Sequence, residues 1–423
     1  MTLRRVAVTG LGVVAPLGNS VDELWTNLVT GRSGVHRLPA PLALGLRSPV
    51  GAAANFDGGR YFEAPRLRML DRVSQLALVA AQQAIADSRL DFGTEERERC
   101  GVFVGTGMGG AETTEEGYHT LYAQGSDRIK PYSVLSAMTN APAAWIGIDF
   151  QLLGPMLTYS TACSSSAVAL GEAARRIQHG DVDVMLAGGA EAPLVVGVLR
   201  AWDAMRTLAT EDPHDPSASC RPFAATRTGL VLGEGAAFAV LEEWDHALAR
   251  GAVIHAEFAG YGLTSDVAHI TRPTIEGQAK AMQSAILAAN LEPEAVDYIN
   301  AHGTATLQND AVETAAIKEV FGERAYAIPV SSTKSMHGHL LGAAGALEFV
   351  IAVMSLTRGA APPTMHLNAP DPACDLDYVA GRARVGFLRV AMSNSFAFGG
   401  TNAVLIVKAG SGSTAESLPR TVE

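Results

Sequence analysis

Four short segments carry residues whose types and spacing could act together chemically. Cys163 follows the strand-like run MLTYSTA (156–162) and precedes Ser164, Ser165 and Ser166. Ala167, Leu170, Ala174 and Ile177 then recur on one helical face that ends at Gly180. The thiol therefore sits at or just before a helix N-terminus, where free N–H groups and the macrodipole favour a thiolate. Only the thiolate is a good nucleophile. A buried cysteine beside an N-cap serine is the plain structural alternative. His302 ends a strand expected over Val296–Asn300 and is followed by glycine, which would hold the imidazole on a turn facing a cleft. A structural histidine with satisfied hydrogen bonds is the commoner case for a lone imidazole. Lys334, His337 and His339 share one loop, SSTKSMHGH, with Glu348 nine residues beyond His339. Two imidazoles and an ammonium could polarise a carbonyl and stabilise a developing enolate. His337 and His339 could instead chelate a metal, but no third ligand accompanies them, so no metal is expected. In NSFAFGGTN (394–402), Gly399 and Gly400 follow a strand and can present N–H groups to a ligand. Neither there nor in GTGMGG (105–110) is there the spacing of a nucleotide-phosphate loop.

These segments need a scaffold, and the composition supplies one. The chain has 423 residues, of which 48% are hydrophobic and 18% charged, enough apolar material for a sizeable core and too much for disorder. No apolar run approaches the ~20 residues of a membrane span. The opening MTLRRVAVTGLGVV reads as a strand entering a glycine-rich turn rather than as a signal peptide. A net charge of −11 argues against nucleic acid as a partner. Cys100, Cys163, Cys220 and Cys374 are widely spaced and form no CxxC pair, which points to a reduced, cytoplasmic protein.

Short apolar strands alternate with alanine-rich helices, the pattern of an α/β protein with buried sheets. Strands are expected near 5–9, 101–104, 182–187, 236–241, 256–261, 296–300, 327–331, 390–393 and 403–407. Helices are expected over 73–88, 164–179, 276–289, 310–321 and 343–356. VAVTGLG (6–12) resembles EFAGYGL (257–263), and the strand–loop–helix order of 159–170 recurs in 331–347. A duplicated unit follows: an N-terminal half over 1–250 with the thiol and a C-terminal half over 251–408 with the histidines and lysine. Residues 409–423 read as a solvated tail.

The motifs TACSSS around Cys163, NAHGTAT around His302, SSTKSMHGHLLGAAGALE around Lys334 and His339, and NSFAFGGTN, in this order, resemble the β-ketoacyl-acyl-carrier-protein synthases. These are the elongating condensing enzymes of the thiolase fold. The resemblance runs from Val6 to about Lys408. It implies two pseudo-symmetric halves in a five-layer αβαβα stack. It also implies that Cys163 carries the acyl chain, and that His302 and His339 hold the malonyl thioester as neutral donors. Lys334 and Glu348 would organise the site, with Asp310 in support. The N–H groups of Cys163 and Phe398 would form the oxyanion hole, with Phe398 as a gate. Thr304 and Thr306 would meet the pantetheine arm or malonyl group, and Met108 and Trp202 the acyl chain. Arg66, Arg68 and Arg206 would dock acyl carrier protein, whose phosphopantetheine brings the substrates; no other cofactor is implied.

The implied assembly is a homodimer, or a heterodimer with a chain-length-factor-like subunit. Gln308-Asn309-Asp310 with Glu313-Thr314 is similar to ketosynthase subunits of type II polyketide systems, so that branch is expected. Fatty-acid elongation is the first alternative and a non-condensing partner subunit the second. Three departures stand out. Ala397 replaces a glycine of the gate, His337 replaces a small or hydroxyl residue, and PFAATRTG (222–229) lacks two acidic residues.

Overall fold

The computed structural model of the chain describes residues 3–410. Ten strands form one mixed sheet. In chain order they are β1 (Val6–Val14), β2 (Cys100–Gly105), β3 (Met156–Tyr159), β4 (Val184–Glu191) and β5 (Gly235–Glu243), then β6 (Ala256–Ser265), β7 (Tyr298–Asn300), β8 (Val330–Ser331), β9 (Val390–Phe396) and β10 (Thr401–Ala409). Their spatial order is β8-β7-β9-β10-β6-β1-β5-β4-β2-β3. The order is a palindrome of two five-strand units. In each, the first strand pairs antiparallel with the fifth, the fifth antiparallel with the fourth, and the remaining pairs are parallel. The units meet where Val6, Ala7 and Val8 pair with Phe258, Glu257 and Ala256.

Six helices matter for the site: α1 (Arg72–Ser88), α2 (Ser165–Gln178), α3 (Val196–Ala204), α4 (Ile275–Ala288), α5 (Leu307–Phe321) and α6 (Ala344–Arg358). One core lies between α1 and the first unit, a second between α4, α5 and the second unit. The third wraps α2 and α6 between both units. The outcome is the thiolase-like layering of helix, sheet, helix, sheet, helix.

The duplicated segment has a packing cause. A Cβ on Gly10 or Gly12 would overlap the carbonyl oxygens of Ala84 and Ala80 in α1. A Cβ on Gly260 or Gly262 would overlap those of Ala285 and Ala281 in α4. Each unit therefore uses two glycines on its first strand to bring an alanine-rich helix onto the sheet.

All nine expected strands and all five expected helices are present, but most strands run longer, β1 to Val14 and β10 from Thr401. The glycines that read as turns are strand residues that make room for a helix. α6 corrects the expectation about apolar runs. Leu341–Arg358 is long and apolar enough to cross a membrane, yet 89% of it is buried inside the protein, so it is a core helix. The expected tail over 409–423 lies, from residue 411 onward, outside the described residues.

Gly12→Ala and Gly262→Ala should each destabilise the protein by about 1–3 kcal/mol through helix displacement. Gly117→Ala, with open space around its Cβ position, should not. Urea midpoints of the three variants check this.

Candidate active site

Cys163 occupies a 3₁₀ turn, Ala162–Ser164, directly before α2. Ala162 adopts φ 51, a left-handed conformation that costs a residue with a Cβ about 1 kcal/mol. The serines hold this elbow. Ser164 Oγ donates to Thr161 O, Ser165 Oγ donates to Ala162 O and accepts from Thr161 N, and Ser166 Oγ accepts from Ala346 N of α6. The serine run that reads as a helix start is thus also a staple between the two halves.

His302 follows β7. Its N–H and that of Gly303 each donate 2.8 Å hydrogen bonds to the Glu313 carboxylate, which also accepts from Asn394 Nδ2 at 3.1 Å. Glu313, on α5, fixes the turn that presents the imidazole. Neither Glu313 nor Asn394 stood out in the sequence as a site residue. A carboxylate eleven residues after the histidine on a helical face was the available signal.

Lys334 and Glu348 form a fully buried ion pair. Lys334 Nζ also lies 3.4 Å from His302 Nδ1. An ammonium has no acceptor, so Nδ1 must be the acceptor and the ring proton sits on Nε2. His302 and His339 cross edge-on, with ring centroids 5.4 Å apart. Both His339 ring nitrogens are buried with no partner among the described residues, in position to serve a ligand. One donor atom each from Cys163, His302 and His339 lie within 4.8 Å of one another. That spacing also suits a metal ion, but the Lys334 ammonium beside them opposes a cation.

Electrostatics set the resting forms. Burial, reinforced by Lys334, holds His302 and His339 well below the usual imidazole range, so both are neutral. The thiol behaves otherwise than the helix terminus suggests. Burial pushes Cys163 up to about 11, against the opposing pull of Lys334 and of the Phe398 and Cys163 backbone N–H groups. Desolvation outweighs these opposing effects, and the resting group is a thiol.

A cavity of about 400 Å³ leads to these groups. Thr304, Thr306 and Phe398 line it, and the two threonine hydroxyls are 2.9 Å apart. Trp202 stacks on Phe398 with centroids 6.0 Å apart. The turn carrying Phe398 is tied to the segment 266–273, since Gly399 N donates to Ile270 O and Asp266 N to Gly400 O. Ala397 has no left-handed φ, so the backbone there does not require glycine, and its methyl packs against the cluster of Leu230, Leu232 and Trp202.

Other expected residues stand apart. His337 points away from the cavity, with its ring between Thr333 Oγ1 and Gly338 O. The ring that His339 meets is that of His302, not that of its loop neighbour His337. Asp310 lies behind the cavity, accepting from Phe223 N and facing Arg227. Met108 is 42% exposed and is fixed through its N–H to buried Glu191. The Arg66 guanidinium is tied to Asp149 and lies over the Phe62 and Trp145 rings. Arg68 and Arg206 are exposed, and Arg206 lines the cavity.

Burial also drops His337 to about 3. Its folded value lies below the unfolded ~6.5, so the unfolded chain binds more protons between those values and acid removes stability. The stability of wild type over His337→Gln should therefore shrink by about 2 kcal/mol between pH 6.5 and 5. Urea titrations at the two pH values check this.

The comparisons with known proteins agree with this geometry. Residues 3–247 match the model of the β-ketoacyl synthase N-terminal domain and 255–368 that of its C-terminal domain. Nodulation protein E of Rhizobium meliloti (strain 1021) is 45% identical over 405 residues, 96% of this chain and 99% of that protein. 3-Oxoacyl-[acyl-carrier-protein] synthase 2 of Coxiella burnetii is 43% identical over 413 residues, covering 96% and 99%. Among solved structures, the ishigamide ketosynthase/chain length factor superposes with TM-score 0.91 at 33% identity, covering 96% of this chain and 100% of that one. A type II polyketide synthase acyl-carrier protein in complex with its ketosynthase bound to the hexaketide gives TM-score 0.90 at 33% identity over the same shares. With a buried thiol, two neutral imidazoles and a paired lysine on this fold, the chain belongs to the β-ketoacyl synthase family and is a condensing enzyme of the acyltransferase type.

Proposed function

We propose that the chain extends an acyl group held on Cys163 with a malonyl unit delivered by acyl carrier protein. The observation that carries this reading is the convergence of Cys163, His302 and His339 within 4.8 Å at the inner end of one cavity. The thiol proton passes to His339, whose nitrogens have no other partner among the described residues. The sulfur attacks the carrier thioester, and the departing carrier thiol takes the proton. Malonyl thioester then enters. Loss of carbon dioxide leaves its electron pair in an enolate, whose oxygen accepts from His302 Nε2–H and from His339. The enolate carbon attacks the Cys163 thioester. The N–H groups of Cys163 and Phe398 take up the oxyanion, and collapse releases the Cys163 sulfur and the β-ketoacyl carrier. Lys334 acts through His302 and Glu348 rather than as a nucleophile.

The pathway we infer is type II polyketide synthesis, supported by Gln308-Asn309-Asp310 and by the polyketide ketosynthases among the structural relatives. Fatty-acid elongation is the second reading, favoured by the 43% identity to 3-oxoacyl-[acyl-carrier-protein] synthase 2. The partner would be a second copy or a chain-length-factor-like subunit. Its surface would be the edge strand β3 with exposed Met156 and Leu157 and the nearby Ile148 and Leu153. Arg68 and Arg206 remain the candidates for carrier docking. Arg66 is left out because Asp149 already neutralises it.

Intact-mass spectrometry after mixing with acyl carrier should give an acyl adduct on wild type and none on Cys163→Ala. Adding malonyl carrier should discharge the adduct as a β-ketoacyl product. Discharge from saturated acyl chains alone would favour fatty-acid elongation, and repeated extension without reduction the polyketide reading. A wild type that takes no adduct, alone or with a partner subunit, would refute the condensing assignment.

A further inference from the structure

The cavity has an electrostatic asymmetry that the condensing chemistry does not use. Its inner end is buried and holds Cys163, His302 and His339. Its rim is exposed and includes Arg206 and Arg272. No aspartate or glutamate lines it among the described residues, although the chain carries a net charge of −11. An anion is therefore drawn to this rim against the overall field.

Neither rim guanidinium has a side-chain or carbonyl partner among the described residues. Both are held ready by their backbones. Arg206 follows α3 with φ 57, a left-handed conformation that an arginine adopts only at a cost of about 1 kcal/mol. Arg272 precedes Pro273, which restricts it to an extended conformation. It also belongs to the segment fastened to the Phe398 turn through Ile270 O and Gly399 N, 2.8 Å apart. Between rim and thiol the wall carries the hydroxyls of Thr228, Thr271, Thr304 and Thr306, which suit an amide-bearing arm.

We propose that Arg206 and Arg272 form a phosphate clamp that holds the phosphodiester of the carrier-bound pantetheine arm while its thioester reaches Cys163. The proposal rests on the condensing reading above. A guanidinium offers two parallel donors to two phosphate oxygens, and the diester needs no further neutralisation once two such forks face it. The arm is thereby anchored at one end, and only its thioester end is free to find the sulfur.

The test compares octanoyl-phosphopantetheine, octanoyl-pantetheine and octanoyl carrier as acyl donors to Cys163. The readout is the second-order acylation rate by intact mass, for wild type, Arg272→Gln, Arg206→Gln and the double variant. The ratio of rates with and without the phosphate should fall about tenfold in each single variant and further in the double variant. An unchanged ratio overturns the clamp. Loss confined to the intact carrier also overturns it, because the arginines would then meet the carrier's protein surface. A wild type acylated by none of the donors would overturn the condensing reading itself, and so separates the two failures.

Discussion

The buried ion pair between Lys334 and Glu348 is the constraint on which the reaction centre depends. Removing an ammonium and a carboxylate from water costs several kcal/mol each, which their attraction offsets only while both remain and are well placed. Both side chains are fully buried in the second half, and the pair puts Nζ 3.4 Å from His302 Nδ1. One contact thereby decides which nitrogen of His302 carries the proton. The same positive charge depresses both imidazoles and pulls the Cys163 thiol down against the larger effect of burial. Protonation states that a reaction at neutral pH needs are thus set by position rather than by residue type.

That position exists because two similar half-sheets close around a shared helical layer. The elbow with Cys163 comes from the first half, and the histidines and lysine from the second. Ser166 Oγ receives the Ala346 N–H across the seam, and Glu191 receives N–H groups from Gly107 and Met108 on one side and Gly342 on the other. These acceptors are buried, so a shift of one half against the other would leave charged or polar atoms unpaired. Precision at the site is inherited from the seam.

The three departures in sequence have different fates in the structure. Ala397 fits its turn without backbone strain and adds a methyl to the apolar cluster beside Cys163. His337 is absorbed by the second half as a buried, hydrogen-bonded side chain. In the stretch 222–229, which lacks the two carboxylates, Arg227 is paired from outside, with Asp371 at 2.6 Å and Asp310 at 3.7 Å. Arg227 in turn holds the carbonyls of Thr306 and Leu307 beneath the cavity wall.

The sequence by itself determined the alternation of strands and helices, the duplication, and the four segments that bear the chemistry. Periodicity and turn residues are local signals, and a helix of small residues or a histidine after a strand is visible without neighbours. Loop spacing puts His337 beside His339, the motifs of the resemblance name His302, and the fold decides between the two. His337 is two residues away in sequence yet faces elsewhere, whereas His302, thirty-seven residues earlier, crosses it at 5.4 Å. Tertiary structure decided that Gly10 and Gly12 are places of close helix approach rather than turns. It decided the thiol as well. A helix N-terminus lowers a cysteine's pKa, but how much water the fold removes around Cys163 depends on residues from both halves, and that desolvation is the larger effect.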